Sequence, residues 1–171
     1  MRIFDAGCGA GRNLNFLLHE GYDVYGVDAD ARAITALGAA DGRFRHERLE
    51  TMTFPDLFAD VVLSSAVLHF AHNDDQFAAM LNGSWRVLRL GGLFFCRLAS
   101  SIGIEALLQP LGGRQFRLPD GSQRYLVDEA LLMEWTEKLG AELLDPIKTT
   151  VVQNQRAMTT WVIRKRGVPP A

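Results

Sequence analysis

Short apolar runs that stop at glycine alternate, over the first two thirds of the chain, with stretches whose apolar positions fall three and four apart. The run Arg-Ile-Phe-Asp at 2–5 is β-like and ends at Gly7, Gly9 and Gly11, after which Leu14, Leu17 and Leu18 recur at helical spacing. Residues 22–27 form a β-branched and aromatic run that closes on Asp28; 31–40 is rich in helix formers, and 44–47 has the length of one brief strand. The alternation then repeats: Ala-Asp-Val-Val-Leu-Ser-Ser at 59–65 predicts a buried strand, 74–90 an amphipathic helix, and 93–98 another strand. Trp85, Leu88, Phe94 and Phe95 are read as packing residues of these elements, and Gly91-Gly92 as the turn between them. Strands alternating with helices predict parallel pairing, with helices on both faces of one sheet.

From Ser100 the rhythm changes. Pro110, Gly112, Gly113, Pro119 and Gly121 break residues 100–125 into a predicted loop or lid. Asp128 has the character of an N-cap for a helix that runs to about Leu139 and stops at Gly140. Two β-like runs, 142–149 and 157–164, finish the pattern, and the short polar stretch between them permits only antiparallel pairing. With no internal repeat and no linker, residues 1–171 are read as one α/β domain, ending in a solvated tail after Arg164-Lys-Arg166.

Composition narrows the function classes. A chain of 171 residues buries roughly 70% of its unfolded surface, so its core needs neither metal nor disulfides. Cys8 and Cys96 have no zinc-ligand spacing, so no metal is expected and a reducing, cytoplasmic setting is. The formal net charge of −2 offers no general attraction for nucleic acid. No apolar run reaches the roughly 18–20 residues of a membrane span.

The chemistry concentrates in Asp5-Ala-Gly7-Cys-Gly9-Ala-Gly11-Arg12. A glycine turn between strand and helix lets a ligand approach backbone that a Cβ would block. A dinucleotide fingerprint needs glycine where Arg12 stands, and the Asp5 carboxylate is unwelcome beside a pyrophosphate but suits an ammonium; alternatively Asp5 hydrogen-bonds the turn amides. Asp28 follows Gly7 by 21 residues, at a strand end where a carboxylate accepts both hydroxyls of a ribose; its alternative role is to cap the next helix. Turn and acid together predict a nucleoside ligand with no phosphate requirement.

These residues, with Phe54-Pro-Asp, Asp60-Val-Val-Leu-Ser-Ser-Ala-Val-Leu-His69 and Arg86-Val-Leu-Arg-Leu-Gly-Gly-Leu, resemble the class I S-adenosylmethionine (SAM) dependent methyltransferases, type 11/12-like. Gly11-Arg-Asn and Gly21-Tyr-Asp-Val add a similarity to the tellurite-resistance and thiopurine branch. The resemblance implies a Rossmann-like three-layer α/β/α sandwich around a seven-stranded mixed sheet, order 3-2-1-4-5-7-6, the last strand antiparallel. It implies SAM as cofactor, S-adenosylhomocysteine as product, and a small-molecule acceptor. Gly7, Cys8 and Gly9 are then expected against the methionine moiety, with Arg12 and Asn13 in the same turn and Asp5 near the ammonium. Asp28 is expected on the ribose, Ala29 on the adenine, and the backbone of Arg48 and Leu49 at the adenine edge. Ser64 and Ser65 are expected beneath the sulfonium, and His69 is the general-base candidate, or else a buried, hydrogen-bonded histidine. His72, Glu105 and Tyr125 are expected toward substrate, His19 and His46 at the surface.

The chain departs from the family pattern at two places. Arg48 stands where an acidic or amide residue often meets the adenine amino group, which leaves Glu47, Glu50 or backbone for that task. The chain also begins at its first strand, without the helices that cover the substrate in many relatives; the alternatives are a fragment, an open site, or cover by a second copy or a partner subunit. Ser-Ser-Ala-Val replaces the Asn-Pro-Pro-Tyr type of sequence after the fourth strand, which argues against an amide or base nitrogen as acceptor. Two other functions stay open: a SAM-binding, non-catalytic subunit, and a nicotinamide-dependent oxidoreductase.

Overall fold

The computed structural model describes residues 1–38 and 41–167. Ala39 and Ala40, expected at the end of the second helix, and residues 168–171 of the expected tail lie outside them. In chain order the elements are β1 (Arg2–Ala6), α1 (Leu14–His19), β2 (Asp23–Asp28), α2 (Ala31–Leu37), β3 (Phe44–His46) and β4 (Ala59–Ser65). They continue with α3 (Asp74–Arg86), β5 (Leu88–Ser100), β6 (Gln109–Gly112), β7 (Gln115–Arg117) and β8 (Gln123–Tyr125). The last four are α4 (Glu129–Lys138), β9 (Ala141–Leu143), β10 (Lys148–Val152) and β11 (Arg156–Lys165).

The main sheet runs β3-β2-β1-β4-β5-β11, and the far edge of β11 is shared by β10 and β9. β1 to β5 are parallel neighbours, and β11 is antiparallel to β5. This is the 3-2-1-4-5-7-6 arrangement, with its sixth position split. The strand predicted over 142–149 breaks between Leu143 and Lys148, around Pro146, which has no N–H for a ladder. Val151 and Val152, predicted as part of the connection, belong to β10; the turn is Gln153 and Asn154 at φ 48° and 54°, with the Gln155 amide donating to Val152 O at 2.9 Å. Both central residues at positive φ give the twist that a tight hairpin needs.

Helices cover the two faces unequally. Phe77, Leu81 and Trp85 of α3 and Leu132 of α4 pack on Phe4, Val62, Phe94 and Trp161 of the sheet, forming the main core. On the other face α1 and α2 bury Cys8, Leu14, Val24 and Phe44 over β1 to β3 only. Farther along that face Leu63 and Phe95 stay half-buried and border a concavity of about 330 Å³ with Phe16 and Leu17. Phe95 is therefore not the interior packing residue predicted. Residues 100–125 are not a loop: β6, β7 and β8 form an antiparallel meander, and Leu118 and Leu126 pack on Ala99 and Met158 of the main sheet. The ends of β1, β2, β4 and β5 that follow their carboxyl direction thus open to one edge, with the meander standing beside them.

Candidate active site

The glycine turn is fixed from two sides. The amides of Gly7 and Cys8 both donate to Val27 O, at 2.9 and 3.0 Å, which ties the turn to β2. Gly7 sits at φ 96°, and a Cβ there would come 2.4 Å from the Val67 side chain, so both backbone angle and space demand glycine. Gly9 meets the opposite condition: a Cβ would find nothing within 4 Å. That open side belongs to a cavity of about 610 Å³ lined by Gly7, Gly9, Asp28 and Ala29, a size in the roughly 300–1,000 Å³ range of small-molecule sites.

Asp28 closes the turn rather than capping a helix. Its Oδ2 accepts from the Gly9 amide and its Oδ1 from the Asp30 amide, each at 2.8 Å. The α2 cap is Asp30, which accepts from Arg32 N at 2.9 Å. An ionised carboxylate has about four acceptor positions, so two amides leave capacity for a diol facing the cavity.

Across the cavity, Arg48 and Leu49 form the facing wall with Glu47 and Glu50. Part of their polar surface is already committed: Glu47 accepts from Thr53 N at 2.7 Å and from Thr53 Oγ1 at 2.6 Å, while Glu50 Oε1 accepts from Arg48 Nη2 and Gln76 Nε2, both at 3.0 Å. Leu49 O faces α3, where a Cβ on Gly83 would come within 2.0 Å of it. The wall is thus held against α3 by a glycine in mid-helix.

Asp5 and Ser64 are fully buried and do not line this cavity. Neither Asp5 carboxylate oxygen nor the Ser64 hydroxyl has a hydrogen-bond partner, an uncommon condition for buried polar atoms. Burial pushes the Asp5 pKa up to about 6; the Asn13 side chain lies near enough to oppose this without forming a regular hydrogen bond, and Asp28 adds to the rise. The Cys8 thiol points away, into the core with Leu14 and Val24, and burial pushes its pKa to about 12. Cys8 can therefore face a ligand only through its backbone, whose N–H is already used.

Other predicted residues gather elsewhere. Ser65, Arg12 and Asn13 border the half-covered face with Phe16 and Leu17. His69 is buried beside a second concavity of about 270 Å³, which Arg12 also reaches. Its Nδ1 accepts the Ala99 amide at 3.0 Å, so the neutral ring carries its proton on Nε2. Burial, with Arg124, Arg97 and Arg156 nearby, lowers its pKa to about 4. This tautomer donates from Nε2 and has no free lone pair there, which fits the buried, hydrogen-bonded alternative rather than the general-base role. Tyr125 is a core residue, stacked on Phe77 at 4.8 Å with its hydroxyl donating to Asp74 at 2.8 Å, and does not face a substrate. Glu105 is exposed and accepts the Gly103 amide at 3.0 Å, lining neither cavity. His72 does line the main cavity. The pattern along the chain did not single out Ala66 and Phe70, which lie on both cavities; Ala66 is a non-glycine residue at φ 64°. No sequence signal marks that angle, although the aromatic placed next to His69 was visible. Among the described residues no His, Cys, Asp and Glu cluster is arranged for a metal ion, and no helix is long and apolar enough to cross a membrane.

A methyltransferase domain model matches residues 4–96, which carry the glycine turn, Asp28, the Arg48 wall and β4. The chain belongs to the methyltransferase domain family. No curated protein matches the chain in sequence. Among solved structures it is similar to a SAM-dependent methyltransferase of Methanosarcina mazei, with 19% identity, 96% of this chain and 92% of that one covered, and a TM-score of 0.78. It is also similar to the Burkholderia thailandensis 1,6-didemethyltoxoflavin-N1-methyltransferase, bound to 1,6-didemethyltoxoflavin and S-adenosylhomocysteine, at 20% identity, 97% and 71% coverage and a TM-score of 0.72. The cyclase SpnF matches with 15% identity, 96% and 75% coverage and a TM-score of 0.73. At such identities the likeness is one of fold, and a fold hosts more than one reaction. The family makes the activity SAM-dependent methyl transfer. The site fits the cofactor: open space beside Gly9, a strand-end carboxylate with spare acceptor capacity, and an orphan buried carboxylate suited to a cationic neighbour.

Proposed function

We propose that this methyltransferase acts on a small molecule whose acceptor atom reaches the cofactor at Ala66 and Phe70. The carrying observation is that these two residues line both cavities, and the reading brings a ligand in the larger and a ligand in the smaller together there. In this reading Asp28 accepts the ribose hydroxyls, Ala29 packs on the adenine, and Arg48 and Leu49 border it. Asp5 acts on the ammonium through space from beneath the glycine turn, where its charge has no partner of its own. Bound SAM supplies a methyl carbon activated by its sulfonium. The chain's own part is to align the acceptor and exclude water. Phe70, half exposed at 54%, offers a flat apolar surface at the meeting point. His69 Nε2–H donates to the acceptor molecule, and no step requires it to take up a proton.

Titration with S-adenosylhomocysteine beside NAD, followed by a screen of small acceptors read as S-adenosylhomocysteine release, tests this. Binding of the homocysteine compound alone is expected. Phe70→Ala is expected to raise KM for any accepted molecule by a larger factor than it weakens S-adenosylhomocysteine binding, since the ring borders both cavities. Failure of the folded protein to bind S-adenosylhomocysteine would end the reading of the larger cavity; an unaltered KM in Phe70→Ala would end that of the junction.

A further inference from the structure

The smaller cavity is strongly basic in a chain whose net charge is −2. Arg12, Arg97, Arg124 and Arg156 line it, brought from the loop after the glycine turn, the end of β5, the middle of β8 and the start of β11. Among the described residues none of the four has a carboxylate within 4 Å, although ten other ion pairs exist there. One acid, Asp120, lies on the rim, and its Oδ1 already accepts from Ser122 N at 2.9 Å and Ser122 Oγ at 2.6 Å. With His69 neutral, four guanidinium groups against one carboxylate leave a net charge of +3 around about 270 Å³.

Among the described residues the four guanidinium groups find one hydrogen-bond acceptor, Gln123 O, which takes Arg124 Nη1–H at 2.6 Å, while Asp120 faces Arg156 and Arg124 at longer range. Arg97 and Arg124 are half-buried, so part of their hydration is already lost, and the Arg124 guanidinium lies 4.8 Å from the centre of the Phe70 ring. Phe70 is also the wall shared with the cofactor cavity. Ala99, Leu118 and Met158 add apolar lining, and Ser122 a hydroxyl that is already bonded to Asp120. Like charges held together in a partly dry pocket repel at a cost that an anion removes, and guanidinium forks match the oxygens of carboxylate and phosphate.

We infer that the methyl acceptor carries an anionic oxygen group, a carboxylate or a phosphate, seated among Arg97, Arg124 and Arg156, with its apolar body on Phe70. The anionic group is the handle; the atom that takes the methyl is elsewhere on the molecule, toward Ala66. His69 Nε2–H adds one neutral donor. This inference rests on the reading of the junction and assigns that site its substrate class.

The experiment titrates the protein saturated with S-adenosylhomocysteine with benzoate, phenyl phosphate and benzamide, three probes that share a ring and differ in charge. Saturation itself shows that the cofactor site is intact, so failure of this inference is distinguishable from failure of the cofactor reading. Binding of benzoate or phenyl phosphate, with benzamide at least about tenfold weaker, is expected. The stronger of the two anions identifies the source of the group. Arg124→Gln and the exposed, milder Arg156→Gln are each expected to weaken the anion about tenfold, to leave S-adenosylhomocysteine affinity in place, and to reduce the salt dependence of anion binding. Equal binding of benzamide, unchanged anion affinity in both variants, or no anion binding at millimolar concentration would each overturn the inference.

Discussion

Asp5 occupies an environment that its place in the sequence did not disclose. A carboxylate before a glycine turn reads equally as a turn anchor or as an ammonium partner, and the structure shows both oxygens buried and unbonded. Because its folded pKa is raised to about 6, the folded state binds the proton more tightly than the unfolded one. The associated stability is complete below about pH 4 and is lost as pH rises through 6, roughly 3 kcal/mol in all. Asp5→Asn is therefore expected to gain about that much over the parent protein between pH 4 and pH 8 in denaturant titrations, while weakening S-adenosylhomocysteine binding. A stability difference that stays flat with pH would refute the assignment. His69 shows the reverse sign: its lowered pKa makes folding less favourable as pH falls from about 6.5 through 4, and a ring-proton titration is expected to find its midpoint near 4. Tyr125→Phe removes the bond to Asp74 and is expected to cost about 1 kcal/mol in stability with no change in acceptor KM.

At the scale of elements, α3 does more than cover the sheet. Its Gly83 meets Leu49 O so closely that an added Cβ would lie 2.0 Å from it. Glycine to alanine inside a helix usually stabilises by about 0.5–1 kcal/mol. Here Gly83→Ala is expected to destabilise by about 1–3 kcal/mol and to weaken cofactor binding, since the Arg48–Leu49 wall must move. A gain in stability would show that this contact yields. The meander β6 to β8 marks where sequence pattern was least informative. Pro110, Gly112 and Gly113 read as breakers, yet Pro110 sits inside the edge strand β6, where a proline is tolerated, and Gly112 and Gly113, at φ 122° and 53°, lead the chain through the tight turn into β7. The apolar Leu118 and Leu126 make it cohere by docking on β5 and β11, a contact between distant parts of the chain.

At the scale of the whole molecule, the larger cavity spans the glycine turn, the loop after β3 and the start of α3, so a ligand there joins parts that the sheet alone holds only from below. S-adenosylhomocysteine at about a hundred times its Kd is expected to add roughly 2.7 kcal/mol and to raise the thermal midpoint by about 5–10 °C. A scanning-fluorimetry series showing no shift, with binding demonstrated separately, would mean that the unfolded chain binds it equally. Much of this architecture was legible in the sequence: strand–helix alternation, glycines at the first turn and an acid at the end of β2 are local patterns, and local backbone preferences with periodic burial determine them. The cavity lining was legible where motif and strand end coincide, at Gly7, Gly9, Asp28 and Ala29. It was not legible for Ser65, which alternates to the opposite face from Ser64, nor for His69, whose tautomer is set by an amide thirty residues away. The sequence by itself determined the parallel sheet and the glycine turn and strand-end acid that border the larger cavity, because these follow from periods and turns along the chain. Only the tertiary structure decided that four arginines from three strands and the first loop face one cavity, because that convergence depends on the register of β5 with β11 and on the docking of the meander, neither of which any local pattern encodes.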